Sequence, residues 1–379
     1  MSDIDVRTPD MLALLKRLVE TESPSHDKPG VDRVGVLVAE ECRRLGAEIK
    51  IHPRSETGDL VEARFPCSQA PAQKERGVNS ILLLAHMDTV FPTGTLEKMP
   101  FHEKEGKVFG PGVSDMKGGI VVALTALAAT LESGSLAHPV TALFTSDEEI
   151  GSATSRALIE KLAAESALVL VLEPGMLDGS VKTWRKGVGE FTVRARGRAA
   201  HAGGDHEKGH NAIEEMAHQV LAIQKWTDYD KGTTLNVGVI RGGIASNVVP
   251  DQASIEVDLR VMQPGEAERI STALQALKPV LEGTSLEVTG GLDRPPMPFD
   301  EAMKATYQKV KAIAAYVNIE IRASGTGGAS DANFVAPLGI PVLDGLGPAG
   351  GEYHSEREFI FRDSLSERAR LLTAILREW

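Results

Sequence analysis

Five side chains that bind metals readily stand where strands and loops should end: His86 in LLLAHMDTV, Asp115 in GPGVSDMKGG, Glu149 in FTSDEEIGS, Glu173 in VLVLEPG and His354 in GGEYHSERE. Imidazole together with carboxylate is an ordinary shell for zinc. Three carboxylates facing two divalent cations leave one formal positive charge, which a bridging hydroxide would cancel. The set points to a single two-metal site and to metal-assisted hydrolysis.

Each residue also has a plainer reading. His86 and Asp88 follow an apolar strand, and residues two apart in extended backbone point the same way. Asp88 can then stand behind His86, fixing its tautomer and raising its basicity, or the two form a structural hydrogen-bonded pair. Asp115 lies between a glycine-rich turn and a long apolar helix, where an aspartate either caps the helix or bridges two metals. TSDEEIGS ends a strand in three acids that repel one another unless a cation is near; a solvated loop is the alternative. Glu149 is assigned as a ligand and Glu148 as the general base that carries a proton from the attacking water to the leaving nitrogen, because a coordinated carboxylate is poorly available for proton transfer. On sequence grounds either glutamate can take either part. Glu173 ends a strand too apolar to carry an unpaired charge without cost. His354, in a loop with Gly347, Gly350 and Gly351, reads by itself as an exposed loop residue.

The elements that must hold these residues alternate through the first half of the chain. Helices are predicted near 9–21, 30–46 and 116–132, and strands near 47–52, 80–85, 138–145 and 167–172, a pattern that argues for an α/β layer. ILLLA and ALVLVL are continuous apolar runs, as central strands covered on both faces require. From about residue 187 the texture changes to EFTVRARGR, a helical pattern over 210–226, TLNVGVIRGG, QASIEVDLRVM, a second helix over 266–279, and SLEVTGG. These strands alternate as a sheet with one wet face does. The expectation is an α+β domain inserted over 187–296 and closed by GLDRPPMPFD. It interrupts a discontinuous α/β domain of residues 1–186 and 297–379, which returns to helix, glycine-rich loop, short strand and final helix.

Bulk composition narrows the partners. A chain of 379 residues exceeds the size at which single cores stop growing, consistent with two domains. The formal charge is 41 − 53 = −12, with no block of Lys and Arg interleaved with aromatics, which argues against nucleic acid. An anionic substrate would need a local cluster of arginines. Cys42 and Cys67 lack CxxC spacing, so neither a disulfide framework nor a thiolate zinc site is expected. The N-terminus begins acidic and spaces Leu12, Leu15 and Val19 for a helix, unlike a signal peptide. IVVALTALAATL is too short to span a bilayer. A cytoplasmic protein with no membrane association is expected.

Taken in order, HMDT, GPGVSDMKGG, SDEEIGS, LEP, GRAAHAG, SNVVPD, ASDA and GGEYHSERE resemble the motifs of the co-catalytic zinc aminoacylase and carboxypeptidase family over essentially the whole chain. Within it the sequence looks most like bacterial glutamate carboxypeptidases. The resemblance implies a zinc-exopeptidase-like α/β catalytic domain whose α+β insert serves as dimerisation module and lid in a homodimer. It implies two Zn2+, with Co2+ or Mn2+ as substitutes: His86 and Glu173 on one ion, Glu149 and His354 on the other, Asp115 bridging, and a cis bond between Asp115 and Met116. At Met116 the chain departs from its nearest likenesses, which carry a second aspartate there. His201 in RAAHAGG resembles the histidine that enters the partner subunit's active site and polarises the scissile carbonyl; otherwise it is a loop histidine like the surface residues His206 and His210. Asn247, Arg260 and Arg294 match positions that hold the substrate carboxylate and the oxyanion, and a guanidinium is the natural bidentate partner of a carboxylate. For Arg260 the alternative is an ion pair on the strand surface. Gly327 and Gly328 in GTGGASDA resemble backbone lining the same pocket. The implied activity is release of a C-terminal glutamate or aspartate from a small N-acyl or peptidyl substrate. Two alternatives are an aminoacylase acting on small N-acetyl amino acids and a metal-binding protein without turnover, against which Glu148 stands.

Overall fold

In the computed structural model, residues 4–67, 80–134 and 136–379 are described. Two compact units emerge: Met1–Trp184 with Phe299–Gly325 and Ser330–Trp379, and Arg185–Pro298 with Thr326–Ala329.

The first unit is built on a six-stranded mixed sheet in the order Glu48–His52, Leu60–Phe65, Val140–Thr145, Ser80–His86, Ser166–Val171, Val342–Leu343. The last four strands run parallel, and the first two are antiparallel additions at one edge. Ser80–His86 and Ser166–Val171 are buried almost throughout, which is why they are apolar on both faces. Parallel strands deliver their carboxyl ends to one edge of the sheet, where α/β proteins place their ligands. That edge receives His86, the segment after Thr145 and the segment after Val171. Leu60–Phe65 escapes the sequence reading because Glu62 and Arg64 break its apolar pattern. Glu62 is nevertheless buried, and its carboxylate accepts hydrogen bonds from His52 Nε2 (2.6 Å) and Arg64 Nε (2.5 Å), so the charge is paired as burial requires.

The stretch Val113–Glu132 is longer than the sequence reading allowed, and by length and composition it would pass for a membrane span. Yet 83% of its apolar window is buried inside the fold. Its regular part, Gly118–Glu132, has 15 residues and is about 22 Å long, short of a hydrocarbon core of about 30 Å. Gly119, in the first turn of that helix, is glycine because nothing larger fits: a Cβ there would lie 2.0 Å from the carbonyl oxygen of Leu172. The helix start is thereby pressed against the strand end that carries Glu173.

The second unit is a four-stranded antiparallel sheet ordered Thr234–Gly242, Gln252–Val261, Gly187–Arg196, Ser285–Arg294. Helices Ala212–Gln224 and Pro264–Gln275 contribute Met216, Ile223, Ile270 and Leu274 to a core completed by Phe191, Val193, Ile255, Val257 and Leu259 of the strands. Only alternate strand residues enter it, which accounts for the period-two pattern of the sequence. Asn211 caps the first helix, its side-chain oxygen accepting from the amides of Ile213 and Glu214, as an N-cap asparagine does. Cys42 and Cys67, both in the first unit, are free. Burial pushes the Cys42 thiol up to about 12, so it is inert at neutral pH.

Candidate metal centre

The first unit brings all five sequence-predicted donors together. His86 ends its strand and Glu173 lies two residues past the neighbouring parallel strand. Glu149 sits in a short 3-10 turn, Glu148–Ile150, after the Val140–Thr145 strand. Asp115 comes from a wide-coiled turn before the Gly118–Glu132 helix, and the Asp115–Met116 bond is cis, as the resemblance implies. Gly112, which opens that turn, has φ +71, and a Cβ on it would lie 2.6 Å from a Thr89 methyl carbon, so only glycine serves. His354 comes from a distant loop and has φ 59, a left-handed conformation that L side chains adopt at cost and that clusters at functional sites.

The distances form two halves joined by one carboxylate. His86 Nε2 is 3.1 Å from Asp115 Oδ1 and 3.5 Å from Glu173 Oε1. His354 Nε2 is 3.3 Å from Asp115 Oδ2 and 3.3 Å from Glu149 Oε2. Two donors bound tetrahedrally to one zinc at about 2.0–2.1 Å stand about 3.3 Å apart, so each half has the spacing of a coordination shell. Glu149 Oε1 is buried with no hydrogen-bond partner, an orphaned acceptor of the kind a cation would satisfy. The residues therefore fit two divalent ions.

The electrostatics agree with that fit. Burial disfavours a charged His86, but Asp115, Asp88 and Glu173 outweigh it and hold the imidazole well above its ordinary value. Burial likewise opposes ionisation of Asp115, yet His354 and His86 keep its carboxyl well below the usual carboxylate range. Asp115 and Glu149 push His354 up to about 10. Burial raises Glu149, helped by the Asp115 charge and opposed by His354. The acids around the two imidazoles thus favour their charged forms, and because a histidine binds metal as the neutral imidazole, metal and protons should compete for the site.

Asp88 has a wider role than sequence suggests. His86 Nδ1 lies 3.0 Å from the main-chain oxygen of Asp88 and 3.4 Å from its carboxylate, an arrangement that turns Nε2 toward Asp115. The carboxylate itself accepts from Ser25 Oγ at 2.7 Å and from the amides of Glu148 and Glu149 at 3.3 and 3.2 Å. It therefore orients the histidine and the glutamate turn at once. From the other side Asp331 accepts from Ser152 Oγ (2.5 Å) and Thr145 Oγ1 (3.3 Å), and Asp147 caps the amide of Thr154 at 2.7 Å. Glu148, so held, presents a carboxylate oxygen within 4.8 Å of donor atoms of His86 and Glu173.

The remaining sequence candidates belong to the second unit. The strand Ala200–His201 pairs with Val248–Val249, setting His201 beside Asn247, whose carbonyl accepts from the amide of Ala202 at 3.0 Å. His201 and Asn247 are both exposed. Nδ1 of His201 accepts from the amides of Gly203 and Gly204 at 3.1 and 3.0 Å, which leaves its proton on Nε2. Arg260 and Arg294 are the two cross-strand neighbours of Val188, so they share one row of the sheet. Arg260 is engaged by Asp258 on its own strand at 2.8–3.2 Å. Gly327 and Gly328 lie in the Thr326–Ala329 loop of this unit, tied down by Arg185, which donates to the carbonyls of Gly328 (3.1 Å) and Ala329 (3.0 Å).

Sequence reasoning misses Ser25, Asp331, Arg185 and Glu358. Asp331 and Glu358 lie inside the ASDA and GGEYHSERE motifs, but their partners are far away in sequence and no local pattern announces them.

A model of the peptidase family M20/M25/M40 matches residues 82–378. Carboxypeptidase G2 of Pseudomonas sp. (strain RS-16) is 31% identical, over 97% of this chain and 89% of that protein. Succinyl-diaminopimelate desuccinylase of Thioalkalivibrio sulfidiphilus is 28% identical, over 97% of this chain and 98% of its own. Among solved structures, the YxeP protein of Bacillus subtilis, described as a dinuclear metal-binding peptidase, superposes with a TM-score of 0.70 at 15% identity, covering 99% of both chains.

Proposed function

The chain belongs to peptidase family M20/M25/M40 and is a metal-dependent hydrolase, and on that premise we propose that it uses two zinc ions to cleave an amide bond, releasing a C-terminal glutamate or aspartate from an N-acyl or peptidyl group. The observation that carries this reading is Asp115, whose two oxygens face two different imidazoles. His86 and Glu173 would complete one metal shell, and Glu149 and His354 the other. When bound, two divalent cations supply Lewis acidity and make water acidic enough to give up a proton near neutral pH.

Glu148 receives that proton at its carboxylate and delivers it to the amide nitrogen as the C–N bond breaks. The water oxygen ends on the carbonyl carbon, so one acid and one amine leave. His201, protonated on Nε2 because Nδ1 is an acceptor, enters the active site of the partner subunit and donates to the carbonyl oxygen there as charge develops. Arg260 and Arg294 take the carboxylates of the departing amino acid, with Asn247 on the oxyanion and the Gly327–Gly328 backbone lining the pocket. At Arg260 the substrate carboxylate replaces Asp258. The second unit acts as lid and as the surface of a homodimer. In support, among the described residues the strand Thr234–Gly242 is an edge of its sheet with Ile240 exposed, and Ile244 just after it and Leu221 on the Ala212–Gln224 helix are exposed as well, a combination that favours pairing with a second chain. Light scattering should give about twice the chain mass of 40.5 kDa; a monomer at assay concentration would overturn the dimer.

The zinc-loaded protein should release amino acid from benzoyl- and pteroyl-glutamate or -aspartate with at least about a tenfold advantage in kcat/KM over the corresponding acyl-alanines, the worth of one modest charge-assisted contact. Chelation should abolish the activity and zinc restore it. No preference for acidic residues would reject the proposed specificity. One observation favours a second reading: Asp258 already satisfies Arg260, which suits a substrate with a single carboxylate, such as a small N-acetyl amino acid. Faster hydrolysis of acetyl than of aryl-acyl substrates would select it.

A further inference from the structure

Glu358 is fully buried and has no part in the chemistry set out above. Its Oε1 accepts from the amides of Ser114 at 2.7 Å and Asp115 at 3.0 Å, and its Oε2 from that of Gly112 at 3.3 Å. Both oxygens are therefore committed to backbone, which leaves Glu358 unsuited to be a ligand. Glu358 itself follows the loop that carries His354. Gly350–Gly351 pairs with Phe359–Phe361 across that loop, and Phe359–Phe361 pairs in turn with Lys107–Phe109, the strand that runs into the Asp115 turn. One carboxylate thus ties the segment bearing Asp115 to the segment bearing His354.

We propose that Glu358 is a positioning residue that fixes the separation of Asp115 and His354 and so sets the affinity of the metal site those two share with Glu149. A carboxylate that accepts from three amides cannot be imitated by glutamine: only one of its two head atoms accepts, and the other would face an N–H. Partners that hold metal ligands in place typically change affinity by about 10–100-fold when removed. The inference rests on the two-metal reading of the site, and the test separates the two.

Zinc affinity is measured by competition with a chromophoric chelator for the wild-type protein, Glu358→Gln and Glu358→Asp, alongside the melting temperature of each metal-free protein and kcat and KM. Wild-type protein should bind two zinc ions; binding none would sink the two-metal reading itself. In Glu358→Gln one of the two sites should weaken by about 10–100-fold, with kcat falling at stoichiometric zinc, recovering in excess zinc, and KM little changed. Glu358→Asp keeps the carboxylate and should recover part of the affinity, and it stands in as the test variant if the glutamine protein does not fold. A lowered melting temperature with both zinc affinities within twofold of wild type would make Glu358 a structural residue only and overturn the proposal.

Discussion

Replacing Glu148 with glutamine should lower kcat by about a hundred- to ten-thousand-fold, the range a positioned general base contributes, while two metal ions remain bound per chain. The substitution keeps shape and removes only the ability to take a proton. Glu148 is held through its backbone, its amide donating to Asp88 at 3.3 Å, and that contact survives the change. Its carboxylate is near His86 and Glu173, and the substitution leaves Asp115, Glu149, Glu173 and the two imidazoles unchanged, so both metals are expected to stay. Because the lost interaction belongs to the transition state, kcat and kcat/KM should fall together. Metal analysis and steady-state kinetics on the same preparation decide the matter. Turnover within threefold of wild type would remove Glu148 from the role of base, and loss of a metal would make it a ligand instead.

The contrast between Glu148 and Glu149 marks how far a sequence carries a site. His86 and Glu173 are legible because each follows an apolar run that must be a buried strand, and parallel strands bring such ends to one edge. Asp115 and the two glutamates are legible as acids at element ends, but side-chain direction carries no local signal: in the fold Glu149 Oε2 lies 3.3 Å from His354 Nε2, and Glu148 lies near His86 and Glu173. His354 carries no local signal, since a left-handed backbone and a loop position look the same in sequence as an idle surface residue. Glu358 and Asp331 are beyond sequence logic for a different reason. Their partners are backbone amides and hydroxyls more than a hundred residues away, and a buried carboxylate that accepts N–H groups leaves no pattern in the partner's side chains. In the fold the same limit appears at Leu60–Phe65, where a buried glutamate paired with the exposed Arg64 and the half-buried His52 disguises an interior strand as a polar one.

Asp115→Ala should release both metals, whereas His354→Ala should release one. The difference follows from topology. Asp115 Oδ1 faces His86 and Oδ2 faces His354, so it is the one donor that belongs to both halves. Without it each half keeps a single histidine and a single glutamate, too few protein donors for the three or four that zinc sites use. Removing His354 leaves His86, Glu173 and Asp115 around the first position, a three-donor shell of the catalytic type, while the second is reduced to Glu149 and a shared carboxylate. Turnover should fall to the assay background in Asp115→Ala, and His354→Ala should retain one tightly bound ion with kcat reduced by about a hundredfold or more, as loss of one of two cooperating charges implies. Elemental analysis after desalting against weak chelator reads the stoichiometries directly. One tightly held ion in Asp115→Ala would mean that the halves are independent and that Asp115 does not bridge them. Two ions retained in His354→Ala would place the second metal's ligands elsewhere. The pattern of two, one and none across wild type, His354→Ala and Asp115→Ala is what a shared carboxylate requires, because in variants that keep the wild-type circular dichroism two independent sites would not both lose their ions to a single substitution.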